Sequence, residues 1–144
     1  MILFDTNVLI DAIWPDEANH RWAVEQIATA VASEGGAVDV VAIAELAASA
    51  DETVNHQAAA RAWGLHILDL PVAAGDVCGK AYRRYLNLRR RSGGGDAPKT
   101  PLPDFFIGAH AQVRGWKLAT RDLDRYAVYF PSVVLLTPGM PGAP

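Results

Sequence analysis

Four acidic residues, Asp5, Glu45, Asp104 and Asp122, stand where carboxylates can act together. Asp5 directly follows the apolar run Ile2-Leu3-Phe4, at the carboxyl edge where open parallel sheets place their ligands. Asp122 holds the same position after a later strand, within Ala119-Thr120-Arg121-Asp122. Asp104 falls in the first turn of a predicted helix, where the backbone dipole favours negative charge. Glu45 sits on an alanine-rich helix among Ala44, Ala47 and Ala48. Each has an ordinary structural explanation too. Asp104 can cap its helix, a role worth about 1 kcal/mol. Asp122 can shape a turn, and Glu45 can be a solvated helix glutamate. Asp5-Thr6-Asn7 after a buried strand is a less ordinary turn.

Spacing does not show that the four meet. If they do, carboxylates a few ångströms apart repel, and some take up protons unless a cation neutralises them. All-oxygen ligation suits Mg²⁺ or Mn²⁺. Such an ion polarises a phosphoryl oxygen and generates a nucleophile for in-line attack, so an acidic quartet points to phosphodiester hydrolysis. Competing devices are missing: there is no phosphate-binding Gly-x-x-x-x-Gly-Lys, no Gly-x-Gly-x-x-Gly, no Cys-x-x-Cys, no His-Glu-x-x-His and no Gly-x-Ser-x-Gly. His20, His56, His66 and His110 are dispersed and read as surface or partly buried histidines rather than ligands. Cys78 is alone, which excludes an internal disulfide and a zinc cluster and fits a reducing cytoplasm.

The elements that position these residues alternate between apolar runs and amphipathic stretches, the pattern of an α/β domain with a mainly parallel sheet. Strands are expected at Ile2–Phe4, Val38–Val41, Leu65–Leu70, Lys117–Thr120 and Val133–Leu136. Helices are expected over Val8–Ile13, around the stripe Trp22, Ala23, Ile27, Ala30 and Val31, over 42–50, Val54–Trp63, Pro71 to about Arg91, and from Pro103 to Gly115. Tyr126–Phe130 reads as an irregular or short helical turn. Gly75 and Gly79, one turn apart inside a helix, are expected to pack closely on a neighbour.

With 144 residues, 51% hydrophobic and 20% charged, the chain suits one domain with a sizeable core, not a disordered tail. Residues 1–136 are assigned to that domain and 137–144 to a Gly- and Pro-rich flexible tail. No apolar run is long enough for a membrane span, and Met1 leads into Ile2 without a basic flank, so no cleavable leader is expected. The net charge of −3 means that nucleic acid would need a local basic patch. Arg83, Arg84, Arg89, Arg90 and Arg91 supply one, with Lys99 in the following loop. Tyr82 and Tyr85 between them can stack on bases or turn to the core, leaving a solvated helix face.

The order Asp5-Thr6-Asn7, Glu45, Pro103-Asp104-x-x-Ile107-x-Ala109-x-Ala111, Gly115 and Leu118-Ala119-Thr120-Arg121-Asp122 resembles the PIN-domain ribonucleases, and most of all the VapC-type toxins of bacterial toxin–antitoxin pairs. The match covers nearly the whole chain. It implies a three-layer α/β/α sandwich in which Asp5, Glu45, Asp104 and Asp122 hold one or two Mg²⁺ or Mn²⁺ ions. Metal-bound water then attacks RNA phosphorus, leaving a 5′-phosphate and a 3′-hydroxyl. Asn7 would orient Asp5 or that water, Thr120 would support the site from behind, and Asp124 is a candidate auxiliary ligand. The resemblance also implies a cytoplasmic homodimer and a small antitoxin lying across the site. Ile13, Trp14 and Trp22 can supply a partner surface or equally belong to the core. One departure is the long loop 92–101 before the third acid, where Asp96 is a weaker rival of Asp104. A housekeeping RNA-processing nuclease and a non-catalytic RNA- or protein-binding module are the alternatives. An aspartyl phosphotransferase of the haloacid-dehalogenase type would want Asp at position 7, which holds Asn.

Overall fold

Five short apolar runs form one sheet in the computed structural model, which describes residues 1–49 and 51–139. The strands are β1 (Ile2–Phe4), β2 (Gly36–Asp39), β3 (His66–Leu68), β4 (Lys117–Ala119) and β5 (Leu135–Leu136), in the order β3-β2-β1-β4-β5. Every pairing is parallel, with Ile2 opposite both Gly36 and Lys117, and Phe4 opposite Ala119. The helices are α1 (Thr6–Ile13), α2 (His20–Ala32), α3 (Val40–Ser49), α4 (His56–Ala62), α5 (Ala74–Arg91), α6 (Pro103–Arg114) and α7 (Leu123–Tyr129). Parallel strands need crossovers, and right-handed ones put α1 to α4 on one face and α5 to α7 on the other. Packing agrees: α1 meets α2 and α3, and α3 meets α4, while α5 meets α6 and α7. The expected α/β sandwich is therefore present.

Burial follows from this layering. Leu3, Phe4, Val38 and Leu118 in the sheet are inaccessible, as are Val8 below one helical layer and Phe105 and Ile107 in the other. Gly108 on α6 lies against the Phe130 ring, where a Cβ would come within 2.4 Å of a ring carbon. Among the described residues no helix is long and apolar enough to cross a membrane.

Several elements differ from the sequence reading, each for a local reason. The second strand ends at Asp39, because Asp39 Oδ1 accepts from the Val41 and Ala42 amides and turns the chain into α3. The first helix starts at Thr6, capped by Asp5, and α7 starts at Leu123, ahead of the expected helical turn, capped by Asp122. Gly75 and Gly79 face open space on α5, so the expected close packing is absent there. Tyr82 is buried against Phe105 and Tyr85, and its hydroxyl donates to the Pro98 carbonyl, which removes it from base stacking. His110 is wholly buried rather than partly exposed, with Nδ1 3.0 Å from Asp39 Oδ2. Ile13 and Trp22 pack against the core, whereas Trp14 is exposed. Ala50 and the tail positions 140–144 lie outside the described residues, while Thr137 is buried.

Candidate active site

The strand order reverses at β1, whose neighbours β2 and β4 are reached in opposite directions, and the carboxyl ends of β1 and β4 meet there. Asp5 follows β1 and is 2% exposed. Its Oδ1 accepts from the Thr6 amide at 2.7 Å, and its Oδ2 accepts from Thr120 Oγ1 at 2.7 Å and Asn7 Nδ2 at 3.0 Å. Asn7 in turn accepts from the Arg121 amide at 3.1 Å, and Thr120 Oγ1 accepts from the Asp122 amide at 3.0 Å. One hydrogen-bonded network thus ties the end of β1 to the β4–α7 turn. Asn7 and Thr120 sit where the sequence put them, beside Asp5.

Glu45 comes in from α3, where Thr6 Oγ1 donates to its Oε1 at 2.6 Å. Asp104 lies in the first turn of α6, and its Oδ2 accepts from Arg125 Nη1 at 2.8 Å. Asp122 caps α7 by accepting from the Arg125 amide at 3.1 Å, and Arg125 Nε stands 3.8 Å from its other oxygen. Burial, opposed by the Thr120 hydrogen bond and reinforced by the Asp104 charge, pushes the Asp5 carboxyl up to about 7. Burial also raises Glu45, with Thr6 opposing and Asp104 adding to the rise. Asp104 is raised by burial, against Arg125 and with Asp122. The acids therefore lie within electrostatic reach of one another.

The donor chemistry suits a hard divalent cation: four carboxylates, no sulfur, and three proton affinities that more positive charge would bring down. The side chains as they stand are otherwise engaged. Among the described residues no three His, Cys, Asp or Glu side chains are grouped to hold one ion. Asp5 is turned to Thr6, Asn7 and Thr120, Glu45 to Thr6, and Asp104 to Arg125. Asp124 is exposed on α7 and makes no hydrogen bond or ion pair with the other acids, and Asp96 is exposed in the loop.

Of the basic residues, Arg84 donates to the Tyr129 carbonyl, and Arg89 binds the Gly95 and Asp96 carbonyls and the Tyr85 hydroxyl. Those two hold the fold. Arg83, Arg90, Arg91 and Lys99 are exposed. Sequence reasoning missed Thr6 as the partner of Glu45, and it missed Arg125 and Tyr126. The spacing Asp122-x-x-Arg125 was the available signal for the arginine. The buried Tyr126 hydroxyl faces Asp5 without a hydrogen bond of regular geometry, and burial with the Asp5 and Asp104 charges drives its proton affinity well up. Also missed was the pair of Arg121 and the inaccessible Asp11, 3.0 Å apart, which fastens the β4–α7 turn to α1.

A parallel α/β domain with Asp5 and Asp122 in the turns that follow two adjacent strands, β1 and β4, defines the class of this protein. The PIN domain family model matches residues 2–131, so the chain belongs to the PIN domain family. No curated protein sequence matches the chain. Solved structures do. The DNA-bound VapBC of Salmonella typhimurium is 20% identical with a TM-score of 0.62, covering 94% of this chain and 96% of that one. FitAcB of Neisseria gonorrhoeae is 22% identical with a TM-score of 0.61, over 96% and 98%. VapC20 of Mycobacterium tuberculosis, a Sarcin-Ricin loop cleaving toxin, is 17% identical with a TM-score of 0.57, over 93% and 99%. At such identities the likeness is one of fold.

Proposed function

We propose that this chain is a divalent-metal-dependent endoribonuclease and the toxin of a toxin–antitoxin pair. The observation that supports the reading is that Asp5, Glu45 and Asp122 each lie within electrostatic reach of Asp104. Membership of the PIN family supports it, as do structural neighbours that include a toxin–antitoxin complex from Klebsiella pneumoniae and the Sarcin-Ricin loop cleaving toxin VapC20. In this reading residues 1–136 form the nuclease domain, which acts in the cytoplasm as a homodimer with a small antitoxin as partner. Asp5, Asp104, Asp122 and Glu45 would hold Mg²⁺ or Mn²⁺, as one or two ions. The bound ion supplies Lewis acidity at the scissile phosphate. Thr120 and Asn7 fix the Asp5 carboxylate, Thr6 fixes Glu45, and the Arg121–Asp11 pair keeps the β4–α7 turn in place.

The reading is tested with purified protein and single-stranded RNA. Cleavage with Mg²⁺ or Mn²⁺, its loss in EDTA, and 5′-phosphate ends are expected; metal-independent cleavage overturns it. Expression should arrest growth, and co-expression of a small open reading frame encoded beside it should relieve the arrest. A housekeeping enzyme would cleave without arresting growth.

The basic end of α5 lies next to the site, since Tyr82 and Tyr85 pack on Phe105, the neighbour of Asp104. Arg83, Arg90, Arg91 and Lys99 are the exposed basic residues that this segment offers to a phosphate backbone. Replacing Arg83, Arg90 and Arg91 with Ala should weaken RNA binding and flatten the slope of log affinity against log salt by about 2, at roughly 0.7 for each single-strand phosphate contact. Fluorescence anisotropy between low and moderate salt measures this. An unchanged slope removes the patch from the interface.

A further inference from the structure

Two of the four carboxylates, Asp104 and Asp122, share one organic cation, Arg125. Its guanidinium contacts Asp104 through Nη1 at 2.8 Å and stands 3.8 Å from Asp122 through Nε. Its backbone amide caps the α7 helix onto Asp122 at 3.1 Å, so the side chain starts from a fixed point. The guanidinium carbon lies 5.9 Å from the ring centres of both Tyr85 and Phe105. Such aromatic faces attract a cation and hold a planar guanidinium in one orientation. Arg125 is thus supported on one side by rings and pointed at two acids on the other. The position follows from packing, because α5 carries Tyr85, α6 carries Phe105 and Asp104, and α7 carries Arg125, and α5 meets both of its neighbours.

One positive charge does not satisfy this site. The guanidinium is divided between Asp104 and Asp122, and among the described residues Asp5 and Glu45 make no ion pair with a basic side chain. A divalent cation drawn to the same oxygens brings twice the charge and must compete with the guanidinium for Asp104. We propose that Arg125 is a resident counter-ion of the carboxylate set, holding Asp104 in the metal-free protein and leaving it when a divalent cation binds. This rests on the reading that Asp104 is a metal ligand. Arg125 is then a positioning residue that sets how much metal is needed to load the site. Once released, it remains tethered at the mouth by Tyr85 and Phe105.

The test is Mn²⁺ binding to the full chain, measured by calorimetry and by the spin resonance of free Mn²⁺. Arg125→Met keeps an apolar stem over the two rings and removes the charge. If Arg125 competes with the metal, Arg125→Met binds Mn²⁺ about tenfold more tightly than the parent, whereas Asp104→Asn binds it at least about tenfold more weakly. A residue that merely supported the fold would give the opposite sign for Arg125→Met. Unchanged or weaker binding by Arg125→Met, with Asp104→Asn still weakened, overturns the counter-ion role and leaves the metal site standing. Unchanged binding by Asp104→Asn overturns the metal-ligand reading itself. A second measurement uses the unaltered protein: the Arg125 Nε–H resonance should shift on Mg²⁺ titration with the same midpoint as metal binding. A resonance that stays in place through saturation overturns the proposal even if Arg125→Met does not fold.

Discussion

Asp5→Asn and Asp104→Asn are each expected to lower metal-dependent RNA cleavage by at least about a thousandfold, or roughly 4 kcal/mol of transition-state stabilisation. Both substitutions keep side-chain size and remove one negative charge, so the fold should survive while affinity for a hard cation falls. They act by different routes. Asp5 is buried in the network of Thr6, Asn7 and Thr120, so the amide must turn an N–H towards one of three donors. Its loss is therefore expected to disturb orientation as well as charge. Asp104 is more open and held by Arg125 alone, so its loss should act mainly through charge. Glu45→Gln should fall short of both, because its hydrogen bond from Thr6 can be kept by an amide oxygen. Single-turnover cleavage of a labelled RNA at saturating Mg²⁺ measures all three. Variants that cleave as fast as the parent would trace the activity to a contaminating nuclease and remove the carboxylates from the mechanism.

The legible part of this site was its topology. A strand apolar at every position followed at once by Asp-Thr-Asn marks the carboxyl edge of a buried parallel strand, and Thr-Arg-Asp after the fourth strand marks a second such edge. The alternation of elements gave the sheet, since parallel strands need helical crossovers. The hydrogen-bond partners were not legible, because Thr6–Glu45, Thr120–Asp5 and Arg121–Asp11 join residues far apart in the chain. Asp39 was overlooked although it ends β2 much as Asp5 ends β1. Its side chain caps α3 and pairs with His110, which makes it part of the scaffold beneath Glu45 rather than a further site carboxylate. The separate roles within the basic run on α5 were hidden for a similar reason. Charge density alone does not separate Arg89, which binds loop carbonyls, from Arg90 beside it, which is exposed.

Metal-free protein is expected to lose stability as pH rises from about 4 to 8, and Asp5→Asn should remove most of that loss. Burial lifts the Asp5 carboxyl from 3.8 to about 7 in the folded state, so between these values the native chain binds a proton that the unfolded chain has released. Stability falls with pH wherever the native state holds more protons. The contribution of neutral Asp5 is fully present below the ordinary carboxyl value and is lost as pH climbs through the folded one. A shift of about three pH units corresponds to roughly 4 kcal/mol, a large fraction of a domain's stability. Glu45 and Asp104 are raised as well and act in the same direction. Urea unfolding in EDTA at a series of pH values measures the effect, with the difference between parent and Asp5→Asn isolating this one group. That difference should move in favour of Asn by several kcal/mol between pH 4 and pH 8. Adding Mg²⁺ at pH 8 should restore the parent much more than the variant, because the cation offsets the charge that burial penalises. Parallel pH profiles for the two proteins would mean that Asp5 is charged in the fold at little cost, and the main electrostatic reason for the pocket to recruit a metal ion would be gone.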